Sequence, residues 1–379
     1  MQSAAFFHII SFVRKHKIEK KQIRALLLVV LLLSGCATKE KEGDVKTGFF
    51  KDLIGIITSH IETVEPKKKP EEEFRIKNSD LGYILYNASE NFGYRYGPSI
   101  IENEDGSFDA WFSSPGNSND EWDWIVYRHS YDGVHWDEES VVLRPTPDSK
   151  DSCSVCDPGV ICFNGYYYLA YTSTNDYERN GYNNSIFVAR SMYPDGPFEK
   201  WNGSGWGGNP EPIIAYEGDP SYWGIGEPSF VIKENELYLY YSHTDSMGSC
   251  TRLAKADLSE DWPFTIEDQC MVFKWKANDS LDVVYAEDID RFLAFTIKYR
   301  MDTSSQLILL VSSDGKEFVE ADWTKDFLEE YAHNCGVSKR ENGHIVVDDD
   351  EPLIGFAYGK NWGRWATKIA RIWIKYSLK

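Results

Sequence analysis

Hydrophobic and polar positions along this chain fall into one phrase, repeated with variations. From Asp157 it reads Asp-Pro-Gly-Val-Ile-Cys-Phe-Asn-Gly-Tyr-Tyr-Tyr-Leu-Ala-Tyr-Thr-Ser. From Glu227 it returns as Glu-Pro-Ser-Phe-Val-Ile-Lys-Glu-Asn-Glu-Leu-Tyr-Leu-Tyr-Tyr-Ser, and from Gly97 as Gly-Pro-Ser-Ile-Ile-Glu-Asn-Glu-Asp-Gly-Ser-Phe-Asp-Ala-Trp-Phe-Ser. Weaker copies open at Asp282 and His333. Each copy predicts a short apolar strand, a polar turn and an alternating aromatic strand. The second half repeats too. Ile125–Trp136 and Leu309–Phe318 are each a strand, a Ser-x-Asp-Gly or Ser-Asp-Gly turn and an aromatic plug, and Ala189–Trp201 holds the same place in the second copy. The Asp-Gly pair supplies the tight turn, and the aromatic packs back between sheets. A repeat of about 50 to 70 residues with strand signals alone implies an all-β chain, a five-bladed β-propeller. The first strand of each propeller blade lines the axis, so the differing openings Gly-Pro, Asp-Pro and Glu-Pro converge on one channel.

The N-terminal part is patterned differently. Arg14, Lys15, Lys17, Lys20, Lys21 and Arg24 precede an unbroken apolar run from Leu26 to Leu33, too short for a mature bilayer span. The run ends in Leu33-Ser34-Gly35-Cys36, which resembles the lipobox of bacterial lipoproteins. That resemblance implies a signal peptide over 1–35, lipidation of Cys36, and a protein held on a membrane of the bacterial cell envelope. Over 36–74 the sequence reads as a tether. Phe50, Leu53, Ile54, Ile57, Ile61 and Val64 predict an amphipathic helix over 49–64, which either lies on the membrane or packs on the domain. A charged Pro-Lys-Lys-Lys-Pro-Glu-Glu-Glu linker follows at 66–73. The propeller is then expected over 75–379.

Charge narrows the partners. The net charge is −20, and cleavage before Cys36 removes six basic residues and one acidic one, taking it to −25. Such a surface repels nucleic acid and favours neutral ligands. A phosphorylase would need a basic cluster for phosphate, and none is visible. Six cysteines remain after Cys36. Cys250 and Cys270 make the most plausible disulfide, whereas Cys153-x-x-Cys156 lacks both the βαβ setting of a redox motif and the further ligands of a metal site.

With Asp-Pro before Gly-Tyr-Tyr-Tyr-Leu, Glu-Pro before Leu-Tyr-Leu-Tyr-Tyr-Ser, and the Ala189–Trp201 segment, residues 90–370 resemble the five-bladed propeller glycosidases: family-43 arabinanases and xylosidases, and family-32 fructosidases. The Ser-x-Asp-Gly turns are similar to the Asp-box turns of sialidases and other propellers. Glycoside hydrolysis needs two carboxyl groups flanking one bond. Asp157 and Glu227 open neighbouring blades, and the proline after each favours an extended backbone. The resemblance implies that Asp157 tunes the pKa and Glu227 is the general acid. It also implies a third aspartate two blades before Asp157. The ring position two blades back is the fifth blade, which offers His333, while the blade just before Asp157 opens with Gly97. Either Asp282 completes a rearranged set, or Asp157 is itself the base, or catalysis is lost. In the resembling families an axial histidine helps hold a central cation or orients an acid, so His333 is either a member of the site or a satisfied core histidine. The same families admit a structural calcium on the axis, with no cofactor required.

Aromatic residues make up 15% of the chain. Trp124, Trp223 and Trp362 are candidates for stacking on sugar C–H faces, beside Arg364 and with Arg95 on the approach to the channel. Two functions remain: an envelope-anchored glycosidase acting on a neutral pentose- or fructose-type glycan, and a non-catalytic propeller that binds or scaffolds glycan.

Overall fold

The computed structural model describes residues 72–78, 83–86 and 93–378, except for 117–119, 179–180, 261, 276–279, 322 and 326–329. The signal peptide, Cys36 and the 49–64 helix lie outside the described residues. All regular structure within them is strand.

Two strands, β1 (Glu72–Asn78) and β2 (Tyr83–Tyr86), precede the first repeat. Blade one is β3 (Tyr96–Glu102), β4 (Phe108–Pro115), β5 (Asp123–Ser130) and β6 (Ser140–Leu143). Blade two is β7 (Ser154–Phe163), β8 (Tyr166–Thr174), β9 (Ser185–Ser191) and β10 (Glu199–Lys200). Blade three is β11 (Gly224–Lys233), β12 (Glu236–Asp245), β13 (Gly248–Asp257) and β14 (Glu267–Lys274). Blade four is β15 (Asp282–Ala286), β16 (Arg291–Lys298), β17 (Gln306–Ser312) and β18 (Val319–Glu320). After β19 (Trp323–Lys325), blade five begins with β20 (Ala332–Val337). A short β21 (His344–Ile345) then joins blade four, and β22 (Leu353–Asn361) and β23 (Arg364–Leu378) continue blade five.

The fifth blade is finished from the other end of the chain. β1 is its fourth strand, antiparallel to β23 from Glu72 opposite Leu378 to Asn78 opposite Ile372, and β19 pairs in parallel with the outer side of β1. Glu72 lies inside the stretch read from sequence as linker. Its carboxylate also pairs with Arg291 at the start of β16, at 2.7 Å, so the closing strand is tied to blade four as well. The inner strands contact one another in the order β3, β7, β11, β15, β20 and back to β3, which makes a closed ring.

The core is divided accordingly into five apolar clusters, each between two neighbouring blades. The aromatic half of each repeat supplies them: Trp111, Tyr171, Tyr240 and Phe295 are fully buried. The Asp-Gly turns take the expected form. Gly133 donates its N–H to Ser130 Oγ at 2.9 Å, while Val134 and His135 donate theirs to Asp132 Oδ1 at 2.8 and 2.7 Å. Ser312, Asp314 and Gly315 repeat the pattern, and Phe318 plugs the cluster between blades three and four.

The cysteines are free thiols among the described residues. Cys250 on β13 stands opposite Lys274, and Cys270 on β14 stands opposite Leu253, so the register holds the expected disulfide pair apart.

Candidate active site

Four of the five inner strands carry a residue in left-handed conformation at the same place. Gly97 has φ 59°, Asp157 49°, Glu227 52° and Asn334 40°. At each the strand pairing slips: between Tyr96 and Ser99, Cys156 and Gly159, Gly226 and Ser229, and His333 and Cys335. These are β-bulges, in which an extra residue re-aims a side chain. The prolines after Asp157 and Glu227 therefore do not leave those residues extended. The bulge overrides that bias, and the neighbouring blade holds the amide. Asp157 N–H donates to Ser113 Oγ at 2.7 Å, and Glu227 N–H to Thr172 Oγ1 at 2.8 Å. A left-handed non-glycine residue costs on the order of 1–3 kcal/mol and persists where its surroundings over-determine it. Gly97 avoids that cost but offers no side chain, and a Cβ there would lie 3.4 Å from Asp157 Oδ1.

Asp157 and Glu227 line one axial channel with Gly97, Ser280, Asp282 and Asn334. Asn334 Nδ2 donates to Glu227 Oε1 at 3.0 Å and to Ser280 Oγ at 3.3 Å. One oxygen of the Glu227 carboxyl is thus oriented by an amide from across the channel.

Asp282 lines the same channel with its carboxylate tied into the structure. Its Oδ2 accepts the Val337 N–H at 2.7 Å, and its Oδ1 accepts Ser229 Oγ and the buried Lys339 ammonium, each at 2.7 Å. Ser99 and Ser229 play the same part in blades one and three, taking the amides of Val160 and Val283. Asp282 is therefore the blade-four counterpart of Ser99 and Ser229, two residues past the axial position, and Ser280 holds that position. Beyond Lys339 the chain runs under the ring. Lys339, Glu341, Asn342 and Gly343 accept backbone N–H groups from Glu102, Cys162, Ile232 and Tyr285, at the far ends of the other four inner strands. This strap and the Lys339–Asp282 pair close the base of the channel.

His333 is one residue short of the axis. It is buried, its ring lies 4.4 Å from that of Trp365, and its Nδ1 contacts Asn334 Oδ1, so it positions the asparagine. Trp223 and Trp362 are exposed and face each other with ring centroids 6.2 Å apart, Trp362 leaning on Trp365 and Trp223 on Tyr182. Trp124 is occupied elsewhere. Its Nε1 donates to Glu121 at 2.6 Å, and Arg144 sits 4.3 Å over its ring. Arg95 donates from Nε to Glu139 at 2.9 Å and from Nη1 to the Tyr94 carbonyl. Arg364 is exposed at the start of β23, opposite Asn361, and it is Arg300 whose guanidinium lies 5.9 Å over the Trp362 ring.

Sequence reasoning missed Asn334, hidden one place after a histidine, and Ser280, which no proline marks. It also missed Asp123 at the start of β5. That carboxylate accepts from Tyr94 OH and from Ser154 Oγ, the latter at 2.7 Å. Burial pushes its pKa up, and the two hydrogen bonds offset this only in part. Burial, with the Asp157 charge behind it, likewise keeps Cys156 a thiol, whose Sγ lies 3.5 Å from Asp157 Oδ2. A buried polar layer therefore backs Asp157. Among the described residues no group of three or more His, Cys, Asp or Glu side chains could hold a metal ion.

The closed five-bladed ring is the fold this chain shares with solved propeller glycoside hydrolases. It is similar to a family 117 glycoside hydrolase of the marine bacterium Zobellia galactanivorans, at TM-score 0.58 and 19% identity over 79% of this chain and 90% of that one. An endo-arabinase from Bacteroides thetaiotaomicron matches at TM-score 0.53 and 17% identity, over 78% and 99%. An α-L-arabinofuranosidase from Lactobacillus brevis matches at 0.53 and 13%, over 76% and 92%. No family model matches the sequence, and no curated protein matches it.

Proposed function

We propose that the protein is a glycoside hydrolase acting on a neutral glycan of pentose or fructose type, with Glu227 as proton donor and Asp157 as the charged partner. The observation that carries this reading is the pair of left-handed bulges in adjacent blades, which aim two carboxyl groups into one channel. Inverting and retaining hydrolysis both need such a pair, about 5–10 Å apart. The Asn334 amide donates to Oε1 of Glu227 and so orients the carboxyl that would give its proton to the leaving group. With Gly97, Ser280 and Asn334 at the remaining axial positions, Asp157 is the carboxylate left to act as base or nucleophile. Trp223 and Trp362 provide exposed faces for sugar rings. The similar arabinan- and arabinoside-cleaving structures support a pentose-type substrate. The lipobox-like Leu33–Cys36 supports attachment to an envelope membrane through Cys36.

A second reading rests on one observation: the fifth-blade position, where the resembling families place their third aspartate, holds Asn334, which cannot accept a proton. On this reading the propeller binds glycan without cleaving it.

Hydrolysis of two substrates by Glu227→Gln separates the readings. A glycan with a poor leaving group should be cleaved about 10²–10⁴-fold more slowly, and an activated aryl glycoside much less affected, because it needs little acid assistance. Equal loss on both removes Glu227 from the acid role. Binding of glycan with no cleavage by the wild-type protein establishes the second reading.

A further inference from the structure

A second hollow, of about 470 Å³, lies between the loop leading into β11 and the β12–β13 hairpin. It shares no residue with the axial channel. Its walls include Tyr216, Tyr222, His243, Asp245, Arg252 and Asp268.

The loop wall is built in advance. Ile213 and Ile214 donate their N–H groups to the Ile186 carbonyl, Tyr216 donates its own to Ser185 Oγ at 3.0 Å, and Asn183 donates to the Tyr222 carbonyl. Asp219 caps its own turn by accepting the N–H and hydroxyl of Ser221 at 2.9 and 2.7 Å. Tyr216 folds back so closely that a Cβ on Gly218 would lie 2.4 Å from the phenol and displace the ring. The Tyr216 ring stands edge-on to His243, with centroids 5.9 Å apart, and its hydroxyl donates to the Asp219 carbonyl at 3.3 Å. A fixed aromatic wall spares a ligand the entropy of ordering it.

The polar wall mixes donors and acceptors. Arg252 Nε donates to Asp268 Oδ1 at 3.0 Å and Nη2 pairs with Oδ2, while Tyr241 OH donates to Oδ1 at 2.6 Å. That ion pair compensates its own charge and leaves other guanidinium N–H groups for a ligand. Burial pushes the His243 pKa down, with Arg252 acting the same way against Asp245, so at neutral pH the ring offers one donor and one acceptor. Asp245 and Glu217 add acceptors that repel anions. A cationic ligand would have no use for Arg252, and an apolar one none for the ion pair.

We propose that this hollow is a second glycan-binding site, which holds a neutral sugar unit against Tyr216 whether or not the axial site cleaves the chain. Affinity electrophoresis of the purified full chain in arabinan, xylan and levan tests it, with Glu227→Gln as the parent so that no matrix is consumed. At least one polysaccharide should retard the parent. Tyr216→Ala should weaken that retardation by about tenfold, the equivalent of one good stacking contact, and Tyr216→Phe should retain it. If Tyr216→Ala does not fold, His243→Ala reads the same site and should show the same loss. Undiminished retardation of the Ala variant, or no retardation of the parent by any of the three, would each overturn the proposal. Tyr216-dependent retention by a protein that cleaves no glycoside would leave this site standing and remove the hydrolase reading.

Discussion

At the scale of single residues, the candidate chemistry rests on backbone conformation as much as on side-chain identity. Asp157, Glu227, Asn334 and Gly97 share one left-handed geometry, and at all but the glycine the chain accepts strain. Asn334 is the informative member, since its amide is a neutral donor to Glu227. Replacing it by aspartate puts a second carboxyl about a hydrogen bond away. Two like charges there disfavour double ionisation, so the pair holds its last proton to higher pH. If Glu227 is the proton donor, the alkaline limb of kcat/KM should move up by about one pH unit or more in Asn334→Asp. A pH profile on one glycoside measures this. An unmoved alkaline limb would show that the two groups do not share the reacting space.

At the scale of elements, the blades were legible because strand, Asp-Gly turn and aromatic strand are local patterns with a local cause. Gly97, Asp157 and Glu227 fall on the bulges themselves, since a proline follows each and marks the frame. Blades four and five lack that proline, and the reading slipped there. Asp282 sits two places late, where the neighbouring blade's amide is bound, and His333 one place early. The Cys250–Cys270 expectation failed for a related reason: the pairing slips twice between β13 and β14, and such slips leave no local sequence mark. The joint between blades one and two was equally unmarked. Buried Lys200 on β10 donates to Asp151, to the Arg144 carbonyl and to Thr146 Oγ1, the last at 2.9 Å. Tyr171 OH reaches the same aspartate at 3.0 Å. Lys200→Met would leave the Asp151 carboxylate buried beside neutral donors only, which typically costs about 3–5 kcal/mol. Urea denaturation should show that loss, and adding Asp151→Asn should recover part of it; a midpoint within error of wild type would mean the joint carries no load.

For the whole molecule, the N-terminal pattern and the ring make separate claims. If Cys36 carries lipid, the wild-type chain partitions with membranes, and Cys36→Ser leaves either an uncleaved precursor or a soluble protein. Processing and membrane attachment unchanged in the Ser variant would defeat that reading. Closure of the ring was not legible at all, because β1 and β23 read as unrelated segments and their pairing rests on three-dimensional proximity. Tyr376 and Glu72, hydrogen-bonded in the finished blade, are 304 residues apart in the chain. Order of synthesis follows from that separation. β1 leaves the ribosome before either of its partners, β19 and β23, has been made, and must wait for them unpaired. Blades one to three find their partners within themselves as they emerge, whereas the fifth is assembled only once β23 has been made. Through that interval β1 presents an open edge to any other nascent strand, so slow translation near the C-terminus lengthens the time in which two copies can exchange it.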